Sequence, residues 1–186
     1  MDKNWLGCRN TLMLLSEDKT NHEYMTRSKK RALDFDQIKT GYTQEYKMSE
    51  SGITSVDALI CDDETDVKRS NTCFVEFKNG DFKSADVMEK AKDSLLIFCD
   101  LVKCTVSDTR SKSTFVLVYN PDKKKPQPSR EEIHRHSAKR AGHRYASFAL
   151  TPLFLFFSDV LTLTQHEFDD FLIARYGEAG SGLAKR

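Results

Sequence analysis

Glycine and proline are scarce in this chain, 8 and 4 among 186 residues, which excludes collagen-like repeats and low-complexity sequence. No period of about 20 to 50 residues recurs, so a solenoid is excluded as well. Long hydrophobic runs are missing. The most apolar stretches, Leu95 to Cys99 and Leu153 to Phe157, are far shorter than the roughly 20 residues a bilayer-spanning helix needs, and no membrane partner is expected. There is no CxxC pair, and Cys99 and Cys104 have no matching histidine or cysteine pair, so a structural zinc site is not expected. An excess of charge of one sign is also absent. Lysine plus arginine total 29 and aspartate plus glutamate 28, a formal net charge of +1, so any surface that attracts a polyanion must be local. The five cysteines are odd in number and mostly sit in apolar runs, where a thiol acts as a small hydrophobe, which points to a reducing, cytoplasmic setting.

What is present is ordinary globular sequence: 39% hydrophobic, 31% charged and 10% aromatic residues. This composition predicts one domain over residues 1–176 and a flexible tail over 177–186. The first forty residues predict at least one helix and carry a basic cluster, Arg27, Lys29, Lys30 and Arg31. Strand-like patterns follow at Tyr42 to Met48, Thr54 to Cys61 and Thr72 to Lys78, and their short connections predict an antiparallel meander. Ser84 is placed to cap a helix whose apolar positions Met88, Ala91, Leu95, Phe98 and Val102 recur at helical spacing, interrupted by Asp93 and Ser94. Phe115 to Tyr119 reads as a strand apolar on both faces and hence central. Two capping boxes, Ser129/Glu132 and Thr164/Glu167, start helices, the first running to about Phe148, and Leu163 and Phe168 are placed as the hydrophobic staple of the second. Leu153 to Phe157 reads as a buried strand. The sum is an α/β fold, a mixed central sheet flanked by helices.

Three positions in this pattern carry chemistry. Asp57 stands near the start of the apolar run Val56-Asp57-Ala58-Leu59-Ile60-Cys61, where a carboxylate has low strand propensity and a desolvation cost. In Cys73-Phe74-Val75-Glu76-Phe77-Lys78 the strand period of two puts Phe74, Glu76 and Lys78 on one face. If the two strands pair, one carboxylate from each converges with an ammonium group. Two carboxylates are hard oxygen ligands suited to Mg²⁺ or Mn²⁺, and a lysine beside them can position water or stabilise developing charge. The spacing acid-x-Lys is common in so charged a chain: Glu17/Lys19, Glu45/Lys47, Asp66/Lys68, Asp81/Lys83 and Asp122/Lys124 share it. Context singles out Glu76/Lys78, with an apolar strand leading in, a turn leading out and a core helix following. The plain alternative is a solvent-facing pair near a strand end, worth under about 1 kcal/mol.

Val56-Asp57-Ala58-Leu59-Ile60 followed by Phe74-Val75-Glu76-Phe77-Lys78-Asn79-Gly80 and an amphipathic helix resembles the core of the PD-(D/E)xK nuclease superfamily, the fold of many restriction enzymes and repair nucleases. The resemblance covers roughly residues 42–119. It implies a restriction endonuclease-like αβββαβ core, Mg²⁺ or Mn²⁺ as cofactor, and hydrolysis of DNA phosphodiester bonds. It implies Asp57 and Glu76 as metal ligands and Lys78 as the catalytic lysine. Val56 stands where the family name has proline. Members often add a glutamate from a helix before the sheet, and here Glu17 and Glu23 are the candidates.

Residues expected to touch nucleic acid are Arg135, Lys139 and Arg140, which share a helical face with His136 and His143, and Lys90 at the start of the core helix. For each of them an ordinary solvated surface role is the competing reading. No helix-turn-helix or zinc finger supplies sequence readout. DNA is the expected partner, and cutting both strands with one site per chain favours a homodimer. The alternative is a catalytically inactive module of the same fold that binds nucleic acid or a protein partner, or a subunit completed by one.

Overall fold

The computed structural model describes residues 3–49, 51–123 and 147–177. Its centre is a six-stranded mixed sheet built from β1 (Arg9–Thr11), β4 (Arg31–Asp34), β5 (Ala58–Cys61), β6 (Thr72–Lys78), β7 (Ser113–Tyr119) and β8 (Asp159–Thr164), in that spatial order. The pairings from β1 through β6 are antiparallel, and those of β6 with β7 and β7 with β8 are parallel. A separate hairpin pairs β2 (Glu17–Asp18) with β3 (Glu23–Tyr24). Helices α1 (Leu12–Leu15), α2 (Phe35–Glu45), α3 (Ser84–Val102), α4 (Val106–Lys112) and α5 (Gln165–Tyr176) pack around the sheet. None of the described helices is long and apolar enough to cross a membrane.

The strand period of two divides the core. Leu33, Leu59, Phe74, Phe115, Leu117 and Val160 join one cluster with Phe35 and Ile38 of α2 and Ala91, Leu95 and Phe98 of α3. Ala58, Ile60, Val75, Val116, Val118 and Leu161 join the other with Leu12 of α1 and Phe168 and Leu172 of α5. Phe74 anchors the first cluster, its ring 5.4 Å from that of Phe98 and 5.5 Å from that of Phe157. Every residue of β7 is buried, as expected of a strand covered on both faces.

Several sequence expectations change. Residues 42–45 belong to α2 and not to a strand. Phe35, Ile38 and Tyr42 form a stripe at helical spacing against the first cluster, and the Asp34 side chain caps the helix by accepting from Gln37 N at 3.1 Å. Helical periodicity therefore overrides the aromatic and β-branched look of Tyr42-Thr43. The expected meander becomes β4, α2, β5, β6, with the helix inserted after the first strand. The run Leu153 to Phe157 is not a strand either: Thr151–Leu155 is a 3₁₀ helix with Pro152 in its first turn. Leu153 and Phe157 point inward while Phe154 and Leu155 are exposed, and the strand begins only at Asp159. The α3 cap is Lys83, with Ser84 already helical. The Thr164/Glu167 capping box is formed, with Leu163 and Phe168 buried in one cluster. The Ser129/Glu132 box, most of the helix it is expected to start and the tail beyond residue 177 lie outside the described residues, and at the expected end of that helix Ser147 and Phe148 are not helical, Phe148 having a φ of 59°.

Candidate functional site

The antiparallel register Ala58↔Val75 sets the residue before β5 beside Glu76 of β6. Asp57 is that residue. Its N–H donates to Val75 O at 3.1 Å, which holds its backbone to β6, and its Oδ2 accepts from Phe77 N at 2.6 Å, which fixes the carboxyl. Glu76 and Lys78 share the sheet face that α3 covers, and Lys78 Nζ lies 2.8 Å from Glu76 Oε1. From α3, Lys90 Nζ reaches to 2.7 Å from the same Oε1 and to 3.8 Å from Asp57 Oδ1. The four residues, drawn from the approach to β5, from β6 and from α3, thus form one cluster. Glu76 is 0% exposed, which removes the plain alternative of a solvent-facing pair.

The electrostatics follow from this crowding. Burial, then the neighbouring Glu76 charge, pushes the Asp57 carboxyl well above the ordinary carboxylate range, against the pull of Lys90 and the Phe77 N–H. Burial draws the Lys90 ammonium downward, but the charges of Glu76 and Asp57 outweigh it and hold its pKa above the ordinary lysine value. Both ammonium groups contact Oε1 as ion pairs. Glu76 Oε2 is buried and has no hydrogen-bond partner among the described residues.

Asp93 and Ser94, which interrupt the apolar stripe of α3, now have a role. Asp93 Oδ2 accepts from Thr54 N at 2.9 Å and from Thr54 Oγ1 at 3.1 Å. Ser94 Oγ accepts from Val56 N at 2.9 Å. These bonds tie the extended approach to Asp57 onto the helix that carries Lys90. Only their position as polar residues on an apolar helical stripe signals them in the sequence.

Asp57 opens onto a cavity of about 830 Å³, whose lining includes Asn10, Glu17, Asp34, Asp36 and Gln37. Asp36, in the first turn of α2, was not among the sequence candidates. Its Oδ1 accepts from Ser55 Oγ at 2.5 Å, and its charge adds to those raising Asp57. The signal for it was the Asp34-Phe35-Asp36 start of a helix, obscured once that stretch was not read as helical. Of the two glutamates considered, Glu17 lines this cavity. Glu23 is engaged elsewhere, by Asn79 Nδ2 at 2.6 Å and Lys123 Nζ at 2.7 Å. Among the described residues no group of three or more histidine, cysteine, aspartate or glutamate side chains is gathered as a metal site. Arg135, Lys139 and Arg140 lie outside the described residues, whereas Lys90 is turned onto the carboxylates.

Comparisons with family models, curated proteins and solved structures find no match to this chain.

Proposed function

We propose that this chain is a metal-dependent nuclease that hydrolyses DNA phosphodiester bonds on a restriction endonuclease-like core. The observation that carries the reading is Glu76 Oε2, a buried carboxylate oxygen without a hydrogen-bond partner among the described residues, beside a second carboxylate and two ammonium groups. Leaving such an atom unsatisfied is costly, and a divalent cation is the partner its chemistry suits. Asp57 and Glu76 would hold Mg²⁺ or Mn²⁺ as hard oxygen ligands. When bound, the ion supplies Lewis acidity and a more acidic water.

The chain's own groups do the rest. The Phe77 N–H holds Asp57 in place. Lys78, its side chain 23% exposed, positions the attacking water and stabilises charge that develops on the phosphate oxygens. Lys90 balances the two carboxylates and keeps Glu76 turned toward Asp57. The acidic cavity in front of Asp57 repels a bare phosphate, so productive binding requires cations at its rim. DNA is the proposed partner, and cutting of both duplex strands would call for a homodimer. All five cysteines are free thiols, in keeping with a reducing compartment such as the cytoplasm.

A second reading is favoured by the two ammonium contacts themselves. Because Lys78 and Lys90 already neutralise Glu76, the same fold could serve as an inactive module that binds nucleic acid or a protein partner. Titration calorimetry with Mn²⁺ separates the two. The nuclease should bind Mn²⁺, and Asp57→Asn and Glu76→Gln should each lose that binding while staying folded. A folded wild type indifferent to Mn²⁺ would leave the binding module.

A further inference from the structure

The basic cluster of the N-terminal region has no part in the site described so far. Residues 26–30 lead into β4, and hydrogen bonds tie this stretch to α1 and α5. The buried Thr26 donates its hydroxyl to Asp169 Oδ1 of α5 at 2.5 Å. Ser28 O accepts from Met13 N at 3.0 Å, and Lys30 O accepts from Leu12 N at 2.9 Å. The Lys30 ammonium lies 4.3 Å from the centre of the Tyr176 ring. Exposure alternates along this stretch: Thr26 is buried, and Ser28 and Lys30 are half-buried. Arg27, Lys29 and Arg31 are all exposed, and none makes a side-chain hydrogen bond or ion pair with another described residue.

Three exposed cations with no ion-pair partner among the described residues thus alternate with buried or half-buried neighbours on one hydrogen-bonded stretch. This is the local basic surface that a chain of net charge +1 requires in order to hold a polyanion. The row is hydrogen-bonded along α1, whose Leu14 and Leu15 form part of the wall of the cavity that contains Asp57.

We infer that Arg27, Lys29 and Arg31 form a track for the phosphodiester backbone of nucleic acid, leading it to the cavity at Asp57. The identity of the polyanion rests on the nuclease reading. The link of the row through α1 to that cavity favours nucleic acid over an anionic membrane surface. Each phosphate neutralised releases counterions, so the track adds to the salt dependence of binding by about 0.9 per contact on duplex and about 0.7 on a single strand.

The test is fluorescence anisotropy of a labelled oligonucleotide, single-stranded and duplex, with the full chain in EDTA over about 50 to 200 mM salt. The triple variant Arg27→Gln, Lys29→Gln, Arg31→Gln should bind at least about tenfold more weakly, and its log–log salt slope should be shallower by about 2 to 3. Its thermal midpoint should not move. The single variant Arg27→Gln should lose about 1 from the slope, and the charge-conserving set Arg27→Lys, Lys29→Arg, Arg31→Lys should bind like wild type. Unchanged affinity and slope in both neutralised variants would overturn the track. So would a wild type that binds phosphatidylserine vesicles and no oligonucleotide. Binding in EDTA separates the two ideas: the slope can fall in a protein that never cleaves, and cleavage can persist where the slope does not change.

Discussion

Ser94 and Lys90 lie on the same helix and act on the site in different ways. The Ser94 hydroxyl accepts the Val56 N–H, and Ser94→Ala leaves that buried donor without a partner. The expected cost is about 1 to 3 kcal/mol in urea unfolding. Ser94→Thr, which keeps the acceptor, should recover part of it. An Ala variant as stable as wild type would mean that the approach to Asp57 is not held by α3. Lys90→Met tests the ion-pair cluster. With Lys90 gone, the buried Glu76 keeps only its 2.8 Å contact with Lys78, and stability should fall by about 3 kcal/mol. A loss within error of zero would show that Lys78 suffices. The Glu76/Lys78 relation was legible in the sequence because a strand's period of two is unambiguous. The roles of Lys90 and Ser94 were not, because a helix contact across the sheet depends on packing that no local pattern specifies.

The hairpin of β2 and β3 is tied to the end of the sheet by one amide. Asn79 Nδ2 donates to Asp18 Oδ2 at 2.8 Å and to Glu23 Oε2 at 2.6 Å, and Asn120 Nδ2 donates to Asn79 Oδ1 at 2.9 Å. Hydrogen bonds from Asn21 first, then from Asn79, bring the Asp18 carboxyl down to about 2. For a depressed carboxylate the stabilisation is full above its unfolded value near 3.9 and is lost as the pH falls toward about 2. A carboxyl-carbon NMR titration should therefore place the Asp18 midpoint near 2, and Asn79→Ala should move it upward. A midpoint already at the ordinary value in wild type would dissolve this tie. Elements differed in how readable they were. α3 and β7 were plain because periodicity and burial agree over a long run. α2 was obscured by Tyr42 and Thr43, residues common in strands, and the 3₁₀ turn at Thr151–Leu155 by a continuous apolar run that fits strand or helix equally.

At the scale of the whole molecule, the parallel half of the sheet supplies a rigid, doubly covered base, and the antiparallel half carries the carboxylates at its junction with β6. The sheet brings Asp57 and Glu76 together, α3 adds Lys90, and the cavity in front of Asp57 is lined from α1, α2 and the hairpin. The αβββαβ order expected from the resemblance is altered by α2 standing between β4 and β5. On the nuclease proposal, this junction cuts DNA with a divalent cation. The measurement is cleavage of labelled single-stranded, duplex and branched DNA by the full chain in Mg²⁺, Mn²⁺ or EDTA, beside Glu76→Gln and Lys78→Ala. Wild type should cut in either metal and not in EDTA, and both variants should lose cutting at unchanged fold. A folded, metal-supplied wild type that cuts none of these substrates, or a Glu76→Gln variant that cuts as well as wild type, would contradict it.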